Sequence, residues 1–208
     1  MKVYEAVIDA LVKEGVDTAF GLLGGGTEHL VDEAVKRGLR WVSVRHEQAA
    51  MGAADGFSRV SGRTGVAILS YGPGLANAAN PMVVARKARS RVLVVASAVG
   101  DNERHTLHLF DQEAFLRSTI GQVTTPRWPD SIHHDLADVM KRLAQGAGPV
   151  ALNLNHHLLG QEVADPWPYT AIRDEWGSQR AQPDAERLAE VVALLAAARR
   201  PRPPGPDS

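Results

Sequence analysis

At 208 residues the chain is long enough for one large domain, or for one domain with a piece of a second. Its 23 Lys and Arg residues nearly balance its 24 Asp and Glu residues, and this argues against a general nucleic-acid binder, which would carry a basic patch or stripe. The absence of cysteine excludes disulfides, a thiolate nucleophile and zinc sites with Cys ligands.

The first 15 residues predict an amphipathic helix rather than a targeting segment. Val3, Ala6, Val7, Ala10 and Leu11 recur with helical spacing, and charged residues between them interrupt the apolar stretch that a signal peptide needs. No apolar run approaches the roughly 20 residues that span a bilayer. We therefore expect no membrane contact and a cytoplasmic location.

Apolar runs that predict strands alternate with helical patterns along the chain. Gly65–Ser70 and Arg91–Ser97 are continuously apolar, as expected for central strands that are covered on both faces. In chain order, the predicted strands are Thr18–Leu23, Arg40–Val44, Gly65–Ser70, Arg91–Ser97 and Pro149–Leu154, and the predicted helices between them are Thr27–Lys36, Glu47–Gly62, Leu75–Ala88 and Ser131–Gln145. This alternation predicts an α/β fold with a mostly parallel sheet and helices on both faces.

The chain changes character after residue 165. Prolines and polar residues in 166–183 predict a linker, and 184–200 predicts a lone helix with Asp184 as its N-cap. The segment 201–208 contains four prolines and predicts a disordered tail. We therefore expect one domain over residues 1–165.

Three loops are candidates for chemistry, because ligands of an open parallel sheet bind at the carboxyl ends of its strands. They are 21–26 (GLLGGG), 45–47 (RHE) and 71–77 (YGPGLAN). Their glycines alone predict tight turns, since neither glycine loop completes the GxGxxG fingerprint and no GxxxxGK[ST] loop occurs. The hypothesis of a dinucleotide-binding oxidoreductase is therefore supported only by the glycines and the parallel sheet.

Glu47 begins EQAAMGAADGFSRVSG, a segment of small residues that predicts a buried helix. Two interpretations of its carboxylate stay open from the residues alone. It complements the positive end of the helix dipole, or it is a functional group whose charge is disfavoured by burial at a strand end.

The eight histidines do not predict a metal site. Two pairs, 133–134 and 156–157, are adjacent in the sequence, and neighbouring side chains on a helix or strand are expected not to converge. His105 and His108 could share a helical face, but no third ligand accompanies them. We therefore expect no metal ligand in this chain.

Several ordered motifs carry a resemblance to a known family. The first is GVDTAFGLLGGG, which begins at Gly15. Between Arg45 and Ser97 it is followed by RHE, ADGFSR and GPGLAN, in that order. The last two are Phe110–Gln112 and GPVALNL. In this order they resemble the N-terminal pyrimidine-binding domain of thiamine-diphosphate-dependent enzymes, in the branch of acetolactate synthase, pyruvate oxidase and benzoylformate decarboxylase. The resemblance covers residues 1–165 and implies the fold of that domain.

The resemblance also implies roles for individual residues. It implies that Glu47 hydrogen-bonds the ring nitrogen N1′ of the aminopyrimidine and so activates the cofactor, thiamine diphosphate. Gln112 is implied to reach the substrate, a 2-keto acid that is decarboxylated or ligated. The residues implied to lie beside the pyrimidine half of the cofactor are Leu23, Gly24, Gly72, Pro73 and Asn77. Leu23 stands where the family more often has proline.

One part of the family pattern is missing. Family enzymes bind the diphosphate and Mg²⁺ in a separate domain through a Gly-Asp-Gly motif and a downstream Asn pair, and this sequence has neither. The resemblance therefore implies a homo- or hetero-oligomer in which a chain with the diphosphate-binding domain supplies Mg²⁺, and helix 184–200 resembles the start of the family's middle domain. The alternative is a truncated, catalytically silent domain or an interaction module.

Overall fold

The structure, a computed structural model, describes residues 1–100, 103, 105–164, 168–172, 174 and 183–198. Contacts between residues divide the chain into two compact units, Met1–Glu175 and Trp176–Ser208. The predicted domain boundary after residue 165 stays a prediction, and the predicted tail at 201–208 lies outside the described residues.

Strands and helices alternate through the first unit, as the apolar patterns predict. Its strands are β1 (Thr18–Gly21), β2 (Arg40–Ser43), β3 (Gly65–Leu69), β4 (Val92–Ala98), β5 (Gln122–Thr124) and β6 (Val150–Asn155). Its described helices are α1 (Val3–Lys13), α2 (Glu28–Lys36), α3 (Glu47–Ser61), α4 (Pro73–Ala76), α5 (Ala79–Lys87), α6 (Gln112–Thr119), α7 (Ile132–Ala144) and α8 (His156–Leu159), with a short 3-10 helix at Pro129–Ser131.

The strands form a single parallel sheet in the order β2-β1-β3-β4-β6-β5. β3 and β4 are the apolar central strands, and every residue of β3 is buried. The chain runs from β1 to β2, toward one edge of the sheet, and from β3 to β4, toward the opposite edge. A topological switch point therefore lies between the neighbouring strands β1 and β3. A crevice for ligands is expected at their carboxyl ends.

Helices cover the sheet in two groups. α1 contacts α2 and α7 in one group, and α3 contacts α5 and the central strands in the other, where α5 also contacts α6. The fold class predicted from the sequence is confirmed. The second group buries an aliphatic cluster against the sheet that includes Met51, Leu69, Leu75, Met82, Val94 and Leu116. This packing holds the start of α3 at the edge of the sheet where the crevice lies.

Four elements differ from their sequence predictions. The predicted helix Leu75–Ala88 is divided into α4 and α5 by a turn at Asn77 and Ala78, and the Asn77 side chain donates a hydrogen bond to Glu47. β1 ends at Gly21, two residues before the predicted end, because the glycine-rich loop begins there. β5 and α8 were not predicted, since three and four residues are too few to show a periodic pattern.

In the second unit the structure describes one helix, α9 (Ala185–Ala197). Asp184 is its N-cap, as predicted: its carboxylate accepts hydrogen bonds from the backbone N–H groups of Glu186 (3.1 Å) and Arg187 (3.0 Å). Across both units, no helix formed by the described residues has the length and apolar character needed to cross a membrane.

Candidate active site

Glu47 lies where β2 leads into α3. His46 caps the helix, because its Nδ1 accepts a hydrogen bond from the backbone N–H of Gln48 at 3.2 Å. Only 7% of the Glu47 surface is exposed. Its Oε2 accepts a hydrogen bond from Nδ2 of Asn77 at 3.0 Å, whereas its Oε1 accepts none from the residues that the structure describes. A buried carboxylate thus keeps an unused acceptor at the carboxyl edge of the sheet.

The loop after β3 passes close to this free oxygen. A Cβ atom at Gly74 would lie 2.9 Å from Oε1 of Glu47 and 2.3 Å from Oγ of Ser70. A side chain at this position would have to displace both groups, so glycine lets the backbone approach them without moving them. Glycine at this position therefore keeps the space beside Oε1 clear.

The loop after β1 is held by Thr27, which is fully buried. Its hydroxyl donates a hydrogen bond to the carbonyl oxygen of Gly24 at 2.7 Å and accepts one from the N–H of the same residue at 3.1 Å. An added Cβ at Gly24 would lie 3.0 Å from Cβ of Ser70, so this turn sits against the end of β3. Leu23, which precedes the turn, is 57% exposed.

The buried side chain of Gln112 ties three segments together. Its Oε1 accepts a hydrogen bond from the N–H of Gly72 at 3.1 Å. Its Nε2 donates to the carbonyl oxygen of Ser97 at 2.6 Å and to Oδ1 of Asn153 at 2.7 Å. One amide therefore joins the loop after β3 to the ends of β4 and β6, and fixes the position of Gly72.

We expect the Gln112→Ala variant to lower the free energy of unfolding by about 2 kcal/mol, because it leaves buried donors and acceptors unpaired. Chemical denaturation in urea measures the change. Gln48→Ala is the matched control: this glutamine is exposed, and its variant should lie within about 0.5 kcal/mol of wild type. Equal stabilities of the two variants would contradict the role of the Gln112 amide.

The residues predicted from the sequence meet at one edge of the sheet. Asn77 contacts Glu47 directly, Gln112 holds Gly72, and Gly24 lies beside the end of β3. Pro73 follows Gly72 as the first residue of α4, at the surface. The catalytic and binding roles of these residues stay predictions, because no ligand contact tests them.

Sequence reasoning missed two residues that complete this arrangement. Ser70 is the first residue after β3 and lies between the Gly24 turn and Gly74. Asn153 is a buried polar residue inside the apolar run PVALNL and accepts a hydrogen bond from Gln112. The sequence did contain a signal for Asn153, because it is a polar residue within an apolar strand. A buried polar side chain needs a hydrogen-bond partner, so such a residue indicates a specific contact.

A cavity of about 450 Å³ opens beside Gln112, at the ends of β4, β5 and β6. Its wall mixes apolar and polar residues, and the polar ones include Glu113, Arg127, Asn153 and His157. A hydrogen bond from Arg117 at 2.5 Å, assisted by one from Thr125, holds the pKa of the Glu113 carboxyl below its usual range. This cavity therefore presents an ionised carboxylate and an arginine, which suits a small polar molecule.

One histidine pair differs from its sequence expectation. His156 and His157 both direct Nε2 at Oε1 of Glu103, at 3.1 and 3.2 Å, although adjacent side chains were expected to diverge. The two histidines are the first two residues of the four-residue helix α8, directly after the end of β6. Their ring centroids lie 4.2 Å apart.

Comparisons with known proteins agree with this fold. The family model "Thiamine pyrophosphate enzyme, N-terminal TPP binding domain" matches residues 1–117. Acetolactate synthase of Mycobacterium bovis is 31% identical over 207 residues, which cover 95% of this chain and 32% of that protein. Human 2-hydroxyacyl-CoA lyase 2 is 31% identical over 214 residues, which cover 97% of this chain and 32% of that protein.

A solved structure supports the fold alone. The thiamine diphosphate-dependent 4-hydroxybenzoylformate decarboxylase of Rhodococcus jostii RHA1 superposes with a TM-score of 0.75 and 18% sequence identity. The match covers 96% of this chain and 38% of that chain. The chain thus spans about a third of the length of the curated relatives it matches.

Proposed function

This chain belongs to the family of thiamine pyrophosphate enzymes, whose N-terminal TPP binding domain it carries, and from that premise we propose that its candidate active site binds the aminopyrimidine half of thiamine diphosphate. The reaction is the decarboxylation or carboligation of a 2-keto acid. The diphosphate and Mg²⁺ are bound by a diphosphate-binding domain of another chain, so the active form is an oligomer.

The observation that carries this proposal is Oε1 of Glu47, which accepts no hydrogen bond from any residue that the structure describes. A hydrogen bond from Asn77 orients the carboxylate through Oε2 and leaves Oε1 beside the space that Gly74 keeps clear. A carboxylate oxygen in that position fits a ring nitrogen that carries a proton, because the two form a charge-assisted hydrogen bond. The residues present therefore fit an aminopyrimidine ring.

Thiamine diphosphate, when bound, supplies a carbon nucleophile and an electron sink for a 2-keto acid. Glu47 would share a proton with the ring nitrogen N1′ through its Oε1 atom. Because Glu47 is buried, water does not compete for that hydrogen bond. Asn77 stabilises the negative charge of the carboxylate by its hydrogen bond to Oε2. Gln112 holds the backbone at Gly72 in place, and that backbone would lie beside the ring.

Binding of the other half of the cofactor is proposed to come from a second domain. Diphosphate is held in enzymes largely through a metal ion such as Mg²⁺, which prefers several oxygen ligands. The sequence contains no Gly-Asp-Gly motif and no Asn pair to provide them in the manner of the family. We therefore expect the chain alone to bind thiamine diphosphate weakly.

A two-chain assay tests the proposal. The chain is mixed with a second chain that carries a Gly-Asp-Gly diphosphate-binding domain, together with thiamine diphosphate and Mg²⁺, and release of CO₂ from pyruvate and larger 2-keto acids is measured. Turnover is expected only when both chains are present, together with a joint peak in size-exclusion chromatography. A joint complex that binds the cofactor but gives no turnover would instead support a catalytically silent domain.

A further inference from the structure

Glu103, His156 and His157 bring three atoms of metal-ligating type together outside the site described above. The nitrogen atoms Nε2 of the two histidines lie 3.1 and 3.2 Å from Oε1 of Glu103. One ligand atom from each residue lies within 4.8 Å of the others. Two ligands of a tetrahedral Zn²⁺ ion with bonds of about 2.1 Å are roughly 3.4 Å apart, so small side-chain movements suffice for coordination.

The proton on His156 is placed by a backbone carbonyl group. Nδ1 of His156 lies 3.2 Å from the carbonyl oxygen of Ala98, which can only accept a hydrogen bond, so Nδ1 carries the proton. In the neutral ring, Nε2 then presents a lone pair toward a carboxylate oxygen. These two acceptor atoms, Nε2 of His156 and Oε1 of Glu103, are 3.1 Å apart and repel each other unless a cation or a further proton lies between them. Metal-ligating histidines commonly donate their other N–H to a backbone carbonyl in this way.

Either hydrogen bonding or a metal ion can satisfy these contacts. A second proton on His156, together with the Nε2–H tautomer of neutral His157, would give Glu103 two hydrogen bonds. A metal ion would instead draw both Nε2 lone pairs and the carboxylate to one centre, and the three ligand atoms already lie within 4.8 Å of one another. A divalent cation binds both lone pairs and the carboxylate at once, so it removes the repulsion among all three groups.

We propose that Glu103, His156 and His157 form a binding site for a divalent transition metal ion of the Zn²⁺ class. Two imidazoles and one carboxylate suit such an ion, and three ligands from the chain leave a fourth position for water or a small ligand. All three side chains are partly exposed, so an ion can enter from solvent. The proposal does not rest on the thiamine diphosphate function.

The proposed site would join two segments next to the candidate active site. Glu103 lies in the segment between β4 and α6, whereas the two histidines begin α8. The ring of His156 packs against Tyr71, which precedes Gly72, with centroids 5.8 Å apart, and His157 lines the cavity beside Gln112. A bound ion would therefore fix one wall of that cavity.

Isothermal titration of the full chain with Zn²⁺ near neutral pH tests the site. We expect one Zn²⁺ ion per chain, and no comparable binding of Mg²⁺, which prefers oxygen ligands. Glu103→Gln and His157→Ala should each weaken Zn²⁺ binding by about tenfold or more, because each removes one of three ligands. Replacement of Zn²⁺ by Co²⁺ should produce the visible absorption of a low-coordinate site in wild type, and His157→Ala should lose it.

His134→Ala provides the matched control. His134 is the exposed member of the other adjacent pair, in α7, and its variant should bind Zn²⁺ as wild type does. Circular dichroism confirms that each variant is folded. The proposal is overturned if wild type shows no stoichiometric Zn²⁺ binding, which would leave a protonated Glu–His pair. It is also overturned if binding survives both site variants or falls equally in His134→Ala.

Discussion

The Glu47→Gln variant is expected to lose roughly 10²–10⁴-fold of the turnover in the two-chain assay, the range that a positioned proton-transfer group contributes. Glutamine has the same shape as glutamate and can still accept the hydrogen bond from Asn77. Its amide carries no negative charge and cannot exchange a proton with a ring nitrogen. Release of CO₂ measures turnover, and exchange of the cofactor C2 proton with deuterium, followed by NMR, measures activation separately from substrate binding.

A second carboxylate of α3 serves as the control for this variant. Asp55 is also buried, but it pairs with Arg59, at 2.7 and 2.9 Å, away from the candidate site. Asp55→Asn should cost stability through this ion pair and leave C2 proton exchange unchanged. If Glu47→Gln retains wild-type exchange, or if both variants lose exchange equally, the proposed role of Glu47 is wrong.

The Gly65→Ala variant is expected to lower the free energy of unfolding by about 3 kcal/mol or more, at the upper end of the cost of overpacking. A Cβ atom at this first residue of β3 would lie 2.1 Å from the carbonyl oxygen of Ala54 and 2.8 Å from its carbonyl carbon. Because both atoms belong to the backbone of α3, the helix must move off the strand to make room. Denaturation in guanidinium chloride measures the change.

Gly52→Ala is the matched comparison, because Gly52 is exposed in α3 and an added Cβ there would meet nothing within 4 Å. This variant should raise stability by about 0.5–1 kcal/mol, since alanine loses less backbone entropy than glycine on folding. A Gly65→Ala midpoint equal to that of wild type would show that α3 packs less tightly on β3 than the structure indicates.

Much of the fold could be predicted because its signals are local. The apolar runs at β3 and β4 predict central strands, since a strand covered on both faces needs apolar residues at every position. The small residues of α3 predict a buried helix, and only one face of it is buried: Ala50, Met51 and Ala54 are fully buried, whereas Ala49 and Gly52 are exposed. Short or divided elements could not be predicted in the same way: β5 spans three residues, and α4 and α5 are separated by a turn of only two residues, 77–78.

By itself, the sequence determined that this protein is an α/β chain with Glu47 at the start of a helix, next to glycine loops at strand ends. Only the tertiary structure decided which atoms meet there. Among the described residues, Oε1 of Glu47 accepts no hydrogen bond, whereas Oε2 accepts one from Asn77. The amide of Gln112 joins Gly72 to Ser97 and Asn153, and two histidines converge on Glu103. Periodicity reports which face of an element is buried, whereas contacts between distant loops depend on the path of the chain in three dimensions.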